Sequence, residues 1–307
     1  MTESVAHPPR LDLRGALELV RYHIVLVAAA AELVFGWLLT GRDLVAIALV
    51  VAFDWFFINF LNKITDVEED KKNRLAGAEW IAVHARPALV GSLLLLAASF
   101  VVTHLIWPEL TPWRAAVQLI GLGYSFRLVP TPRGLRRFKE IYFFKNFMSA
   151  VLFVLTGFVY PLASVSFEPA IGWAAVALLV TFFVPFELTY EILYDLRDLE
   201  GDRAEGIPTY PVVHGPRFAL RLVDGLLLLC ALPLVAGLLT GVLGVREGLF
   251  LAAPAAQRLF YGPRVRRGLS GADCIALTHL GTGLLLFYLV GTRIWLALGL
   301  PANLYLR

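Results

Sequence analysis

Long runs of apolar residues are the feature that most constrains the fold of this chain. Stretches such as 16–40, 170–194 and 274–298 are predominantly apolar, and a helix needs about 20 such residues to cross the hydrocarbon core of a bilayer. Hydrophobic residues make up 58% of the 307 residues and charged residues only 17%, whereas charged residues are about 25% of a typical soluble domain. The composition therefore excludes an ordinary soluble protein and predicts a polytopic membrane protein.

A scan at this length predicts an all-α membrane protein, a bundle of about nine transmembrane helices. The eighth predicted span is interrupted by Pro254 and Gln257. Because no soluble domain or low-complexity segment separates the apolar runs, we expect one transmembrane domain over residues 1–307. The predicted spans are 16–40, 44–64, 87–107, 113–129, 142–162, 170–194, 217–240, 245–262 and 274–298.

The basic residues indicate how the bundle is oriented. Most of the 27 lysines and arginines fall in the N-terminal segment and in the even-numbered loops, and the other side has only five. Cytoplasmic segments carry such an excess of basic residues, so we predict a cytoplasmic N-terminus. Topology also accounts for the formal net charge of +3, and we expect no nucleic-acid partner. The five basic residues on the other side are Arg42, Arg114, Arg246, Arg293 and Arg307.

Two acidic stretches stand at the ends of predicted spans. Asn62-Lys-Ile-Thr-Asp-Val-Glu-Glu-Asp70 follows the second span, and Asp195-Leu-Arg-Asp-Leu-Glu-Gly-Asp202 follows the sixth. Both stretches fall on the predicted cytoplasmic side. Four helices separate them, so the two spans run in the same direction, which suggests two repeated four-helix units with a ninth helix appended.

Each acidic stretch directs several oxygen-bearing side chains the same way. At about 100° per residue, helical positions three or four apart lie on one face. Carboxylates packed this closely repel one another unless a cation lies among them, and a ligand set of oxygen atoms alone favours a hard ion such as Mg²⁺. We therefore predict a magnesium site built from both stretches. Its predicted ligands are Asn62, Asp66, Asp70, Asp195, Asp198 and Asp202.

The two stretches resemble the two signatures of the UbiA superfamily of intramembrane prenyltransferases. The first has the spacing Asn-x3-Asp-x3-Asp from Asn62, and the second has Asp-x2-Asp-x3-Asp from Asp195. The number of helices and the positions of both motifs match as well, so the resemblance covers almost the whole chain. There are two departures from the family pattern. Lys63 stands where the family commonly has Asp, and the loop after Ser125 is longer than usual.

The resemblance implies a magnesium-dependent prenyltransferase that ionises a prenyl diphosphate to an allylic carbocation. A hydrophobic acceptor, aromatic or lipid, then traps the cation. We accordingly expect a multi-pass enzyme in a bacterial or archaeal cell membrane, with its active site toward the cytoplasm and no obligate protein partner. Fixed cations stabilise charge on a leaving group. The candidate residues for contacting the diphosphate are Lys63, Arg136, Arg137, Lys139 and Lys145.

Two further acids lie deeper in the sixth span. Glu187 and Glu191 precede Asp195 by eight and four residues and continue its face into the apolar run. A carboxylate at membrane depth is costly and is a functional candidate by default. We predict that Glu191, with Glu187 beside it, accepts the acceptor's proton or orients the acceptor. A structural pairing with an Arg or Tyr of a neighbouring helix is the alternative.

The same ionisation machinery serves a second class of reaction. In a UbiA-type terpene cyclase, a double bond within the same prenyl diphosphate traps the cation, so no second substrate is needed. A transporter that uses the acids as a cation pathway would need charges that continue across the membrane, whereas the main acidic cluster stops in the cytoplasmic half. Because no basic residue lies deep in the second or sixth span, we expect a hydroxylated or nonionic acceptor.

Overall fold

The structure is a computed structural model, and it describes residues 13–67, 71 and 77–306. Nearly all of the regular structure is helical, with one hairpin of two short antiparallel strands, β1 (Val129–Thr131) and β2 (Gly134–Arg136). The helices are α1 (Leu13–Leu19), α2 (Tyr22–Thr40), α3 (Val45–Thr65), α4 (Ala78–Ile106), α5 (Thr111–Ser125), α6 (Phe144–Ala163), α7 (Trp173–Arg197), α8 (Leu199–Glu205), α9 (Tyr210–His214), α10 (Pro216–Thr240), α11 (Val245–Gly248), α12 (Ala252–Val265) and α13 (Gly271–Ala297).

Each of the nine predicted spans coincides with helix in the described part of the chain. Among the described residues, seven helices are long and apolar enough to cross a membrane, namely α2, α3, α4, α6, α7, α10 and α13. The predicted span 113–129 corresponds to α5, which has only 15 residues. The predicted span 245–262 is divided into α11, a 3₁₀ turn (Leu249–Leu251) and α12. The helical membrane architecture is thus confirmed, with seven helices meeting the requirements for a span.

Local sequence explains where several of these helices begin and end. Gly41 and Gly241 follow α2 and α10 with φ of 70° and 67°, a left-handed conformation that glycine adopts without steric cost. Pro216 occupies the first turn of α10, where its missing N–H is not needed for a helical hydrogen bond. These residues place sharp boundaries inside otherwise apolar sequence.

Aromatic side chains fill the centre of the bundle. The ring of Phe35 on α2 lies 4.5 Å from Phe158 on α6 and 5.5 Å from both Phe183 on α7 and Phe250. These distances lie in the range of attractive ring pairs. The cluster therefore fixes α2, α6 and α7 around a common core.

A buried ion pair ties together the helices on one side of the bundle. Arg114 on α5 and Asp54 on α3 are 1% and 0% exposed, and Arg114 donates from Nε and Nη2 to the two oxygens of Asp54 at 3.0 and 2.5 Å. Tyr160 on α6 donates to the same carboxylate at 3.0 Å, and Arg114 also donates to Thr103 on α4 at 2.8 Å. Arg114, counted among the non-cytoplasmic basic residues, is thus a structural cation inside the bundle.

Candidate active site

One large cavity brings the two acidic stretches together. It has a volume of ≈ 1170 Å³ and is lined by residues of α2, α3, α6, α7 and α13. Typical small-molecule sites occupy roughly 300–1,000 Å³, so this cavity has room for a long ligand or for two ligands. Its lining includes Asn62 and Asp66 from the first stretch, and Asp195, Asp198 and Asp202 from the second.

The first stretch enters the cavity at the end of α3. Asp66 ends the helix, and its backbone N–H donates to the carbonyl of Asn62 at 2.9 Å. Both side chains are buried, and Asn62 Oδ1 has no hydrogen-bond partner among the described residues. A buried acceptor of this kind carries an unmet desolvation cost that a bound cation would relieve. Asp70, the third predicted ligand of this stretch, lies outside the described residues.

The second stretch spans the break between α7 and α8. Asp195 lies in the last turns of α7 and is buried, Asp198 lies at the break, and Asp202 is buried within α8. The side chain of Asn146 on α6 donates to Asp195 Oδ2 at 2.7 Å. The break turns α8 so that Asp195 and Asp202 both face Lys145.

Basic side chains hold the carboxylates of both stretches. Lys139 Nζ lies 2.6 Å from Asp66 Oδ2, and Arg137 Nη1 lies 3.0 Å from Asp66 Oδ1. Lys145 Nζ lies 2.8 Å from Asp195 and 2.9 Å from Asp202. Within the described ranges, no three His, Cys, Asp or Glu side chains are grouped closely enough to hold a metal. The carboxylates are instead paired with lysine and arginine side chains, which neutralise their charge.

The donor set nevertheless fits Mg²⁺ together with a diphosphate. The candidate ligands offer oxygen atoms alone, which suits a hard cation that binds through a few carboxylates plus substrate phosphates. Asn62, whose Oδ1 has no hydrogen-bond partner among the described residues, lines the same cavity as Asp66 and Asp195. The basic residues around them are of the type that contacts phosphate oxygens.

Two of the acids have perturbed ionisation. Burial raises the pKa of Asp202 to about 6, against the opposing effect of the Lys145 ammonium. Burial acts in the same direction on Asp198, but the guanidinium of Arg197, which donates to both of its oxygens, outweighs it and lowers the pKa. The Asp198 carboxyl group is therefore readily ionised, whereas ionisation of the Asp202 carboxyl group depends on nearby cations.

The predicted diphosphate contacts divide into two groups. Lys63, Lys139 and Lys145 line the cavity, and Arg137 reaches Asp66 from beside it. Arg136 is on β2, paired with Val129 across the hairpin, and is not part of the lining. The hairpin therefore separates two adjacent arginines that the sequence alone treats alike.

The deeper part of the cavity is largely apolar and contains both predicted catalytic acids. Glu191 and Glu187 line it one and two turns from Asp195, respectively, and Ser149 Oγ on α6 lies 3.5 Å from Glu187 Oε1. No Arg or Lys of the described chain forms an ion pair with either acid. Aromatic side chains from α3 and α7 surround this region, namely Trp55, Phe182, Phe183, Phe186 and Tyr190.

Sequence reasoning missed several residues that line the site. Arg21 and His23 lie at the start of α2, where Arg21 had counted only toward membrane orientation. Asn146 holds Asp195 from the next helix, and Tyr124 lines the cavity from the end of α5. Position at a helix end was the one available signal for Arg21 and Tyr124, because the partners that define their roles are distant in sequence.

Comparison with known proteins identifies this arrangement. The UbiA prenyltransferase family matches residues 22–270. Digeranylgeranylglyceryl phosphate synthase of Haloquadratum walsbyi is 27% identical over 82% of this chain and 85% of its own length. The structure of a UbiA homolog from Archaeoglobus fulgidus bound to GPP and Mg²⁺ has a TM-score of 0.68 at 19% identity, covering 90% of this chain and 98% of its own. A structure of digeranylgeranylglyceryl phosphate synthase in membranes matches with a TM-score of 0.54 at 20% identity, over 91% and 98% of the two chains.

Proposed function

This chain belongs to the UbiA prenyltransferase family, and we propose that it transfers an isoprenyl group from a prenyl diphosphate to a hydroxyl-bearing lipid acceptor within the membrane. The observation that most directly supports this proposal is that both acidic stretches line one cavity whose deeper part is apolar and aromatic. Mg²⁺ is the proposed cofactor, since a homolog structure was obtained with GPP and Mg²⁺. We infer a lipid acceptor because several relatives are named as synthases of a glyceryl phosphate lipid.

The proposal also includes the membrane topology predicted from the sequence. We propose nine spans in one domain over residues 1–307, as two four-helix units and a ninth helix. The basic residues favour a cytoplasmic N-terminus, which places the acidic ends of α3 and α7 toward the cytoplasm. A prenyl diphosphate would then present its charged end to the cytoplasmic side and its tail to the membrane interior.

The proposed diphosphate end of the cavity has two kinds of residue. Asn62, Asp66, Asp195, Asp198 and Asp202, with Asp70, are the groups that would hold Mg²⁺, which when bound supplies positive charge to the leaving diphosphate. The cations now paired with these acids lie within the same pocket. Lys139 and Lys145, with Arg137 and Lys63, are therefore the residues we assign to the diphosphate oxygens.

The apolar depth of the cavity supports the chemistry at the other end of the donor. The C1–O bond breaks and the diphosphate leaves with the bonding electrons, so C1 becomes part of an allylic cation. Water would quench this cation to an alcohol, and an apolar wall excludes it. The ring faces of Trp55, Phe186 and Tyr190 stabilise positive charge. The acceptor oxygen then bonds C1 and gives up its proton.

We propose that Glu191 accepts that proton. Glu187 is the residue that we propose orients the acceptor. Replacing Glu191 with Gln keeps the shape but removes the basic oxygen, so we expect turnover to fall by about 10²-fold, as is typical for loss of a general base. Affinity for the donor should change little. Steady-state kinetics with purified enzyme measure both quantities.

Glu168→Gln is the matched control, because Glu168 is exposed in the loop before α7 and lies outside the cavity. Unchanged turnover in Glu191→Gln would remove this residue from the reaction. A smaller effect in Glu187→Gln than in Glu191→Gln is expected, since Glu187 lies one turn farther from Asp195.

Product analysis tests the proposed reaction against its alternative. With Mg²⁺, a prenyl diphosphate and a lipid alcohol, we expect a prenyl ether and free diphosphate in equal amounts. Without the alcohol the donor should remain intact. A cyclic hydrocarbon formed without any acceptor would instead assign the chain to the UbiA-type terpene cyclases.

A further inference from the structure

The cavity continues far beyond the two acidic stretches, along a face of α13 whose lining residues recur every three or four positions. Thr278 lies near the level of the acids, since its Oγ1 is 2.8 Å from the Oη of Tyr194, the residue before Asp195. Thr278 and Leu296 both line the cavity and are 18 residues apart on α13, which is about 27 Å of helix at a rise of 1.5 Å per residue. The cavity therefore has the length to hold an extended hydrocarbon chain.

Polar groups line the cavity again at its end away from the acids. Arg246, Thr292 and Asn303 lie there, together with Tyr288, whose buried Oη has no hydrogen-bond partner among the described residues. The middle of the cavity is lined by aromatic rings such as that of Phe35. A hydrocarbon tail cannot form hydrogen bonds with the polar groups, so the apolar part of the cavity has a defined end.

Residues 301–304, which we call the strap, follow α13 and lie across this end of the cavity. The backbone N–H of Val245, at the start of α11, donates to the carbonyl of Leu304 at 2.7 Å. On the other side, Nε1 of Trp295 on α13 donates to the carbonyl of Pro301 at 2.7 Å. All residues of the strap except Pro301 line the cavity. The strap is thus held against both α11 and α13 and closes the space between them.

Asn303 holds the strap on α11. Its Oδ1 accepts from the backbone N–H of Arg246 at 3.1 Å, and its Nδ2 donates to Glu247 Oε2 at 2.6 Å. Gly244 makes this close approach possible, because a Cβ at that position would overlap the side-chain amide of Asn303. The position of the strap therefore depends on a few contacts that single substitutions can remove.

We propose that the strap is the end wall of the donor site and sets the longest prenyl chain that the enzyme accepts. This inference rests on the proposed prenyl transfer and adds a specificity-determining segment to it. With the diphosphate at the acidic stretches, the tail extends along α13, passes the aromatic rings and stops at the strap. A donor that is one isoprene unit too long must displace the strap or leave its diphosphate out of place.

Non-ionising analogues of prenyl diphosphates, from geranyl to solanesyl in steps of one isoprene unit, test this inference without an acceptor. Calorimetric titration of the full-length protein with Mg²⁺ gives Kd for each length. For the wild type, affinity should rise with each unit that adds apolar contact. It should then fall at least tenfold at the first length that overfills the cavity, since even one extra methylene in a filled pocket costs about tenfold or more.

Two variants loosen the strap by different routes. Asn303→Ala removes its side-chain hydrogen bonds, and Gly244→Ala displaces the same side chain. In each variant the fall should move to a longer analogue, so that affinity for the first length excluded by wild type rises at least tenfold relative to the geranyl analogue. Leu306→Ala is the matched control, because Leu306 is exposed just after the strap and does not line the cavity.

Gly291→Leu tests the opposite direction. Gly291 lines the cavity, and a Cβ there would meet no other atom within 4 Å, so a leucine side chain shortens the cavity without a clash. The fall in affinity should move to an analogue shorter by at least one isoprene unit. Gly283→Leu is the matched control on the same helix, since Gly283 has equally open space beside it but is not part of the lining.

The outcomes separate this inference from the proposed function. Affinity that keeps rising up to the solanesyl analogue in the wild type would overturn the inference, and it is the result expected if the tail leaves the cavity beside Phe287, which lines it and is 78% exposed. An unchanged length limit in Asn303→Ala and Gly244→Ala would overturn it as well, while the donor site stands. If no analogue of any length binds in the presence of Mg²⁺, the proposed function itself is wrong.

Discussion

Asp66→Asn and Asp195→Asn are each expected to lower prenyl-transfer turnover by about 10²–10³-fold, the effect typical of losing one preorganised electrostatic group at a developing charge. Each substitution removes a buried carboxylate from the cavity. It also leaves Lys139 or Lys145 without that negative partner, so metal affinity should fall together with the rate. The measurement is initial velocity against Mg²⁺ concentration with purified enzyme.

Asp43→Asn is the control for these two variants. Asp43 pairs with Arg293 and is 65% exposed at the other end of the bundle. We expect its turnover to match wild type. Full activity in both Asp66→Asn and Asp195→Asn would exclude the acidic stretches from the reaction.

Arg114→Leu is expected to destabilise the fold by about 3–5 kcal/mol, since removing one partner of a buried ion pair leaves the other charge uncompensated. Asp54 would keep only Gln118 and Tyr160 as donors, each at 3.0 Å. The thermal midpoint in detergent should fall clearly below that of wild type. Because Arg114 is outside the cavity, the folded fraction should retain its affinity for the donor.

The double variant Asp54→Leu/Arg114→Leu provides the internal check on this ion pair. Replacing both charges by apolar groups removes the unpaired charge, so we expect the midpoint to recover part of the loss. A midpoint in Arg114→Leu equal to that of wild type would mean that the network does not stabilise the bundle.

Hydrophobicity and spacing predicted the helical membrane architecture and the meeting of the two acidic stretches. Apolar runs predicted every long helix because the bilayer fixes the length of a span. The spacing of Asn62, Asp66, Asp195, Asp198 and Asp202 predicted that these residues would meet, and all five line one cavity. Both properties are local and can be read along one helix.

Contacts between residues that are distant in the chain could not be predicted from the sequence. Nothing local indicates that Arg114 would reach Asp54, 60 residues away, or that Lys145 would lie between Asp195 and Asp202. Likewise the hairpin that carries Arg136 away from the cavity depends on strand pairing. The left-handed turn at Arg21 interrupts an apolar run that contains neither Gly nor Pro at that point, so the sequence did not predict the break between α1 and α2.

The central claim is that the two acidic stretches form one magnesium-dependent site for a prenyl diphosphate. Calorimetric titration of the purified protein with a prenyl diphosphate analogue whose C1–O bond is replaced by a non-ionising C1–C bond tests it most directly, because binding is then separate from reaction. We predict binding with Mg²⁺, little binding with a chelator, and at least tenfold weaker binding in both Asp66→Asn and Asp195→Asn. Tight binding that persists without Mg²⁺ and in both variants would contradict the account.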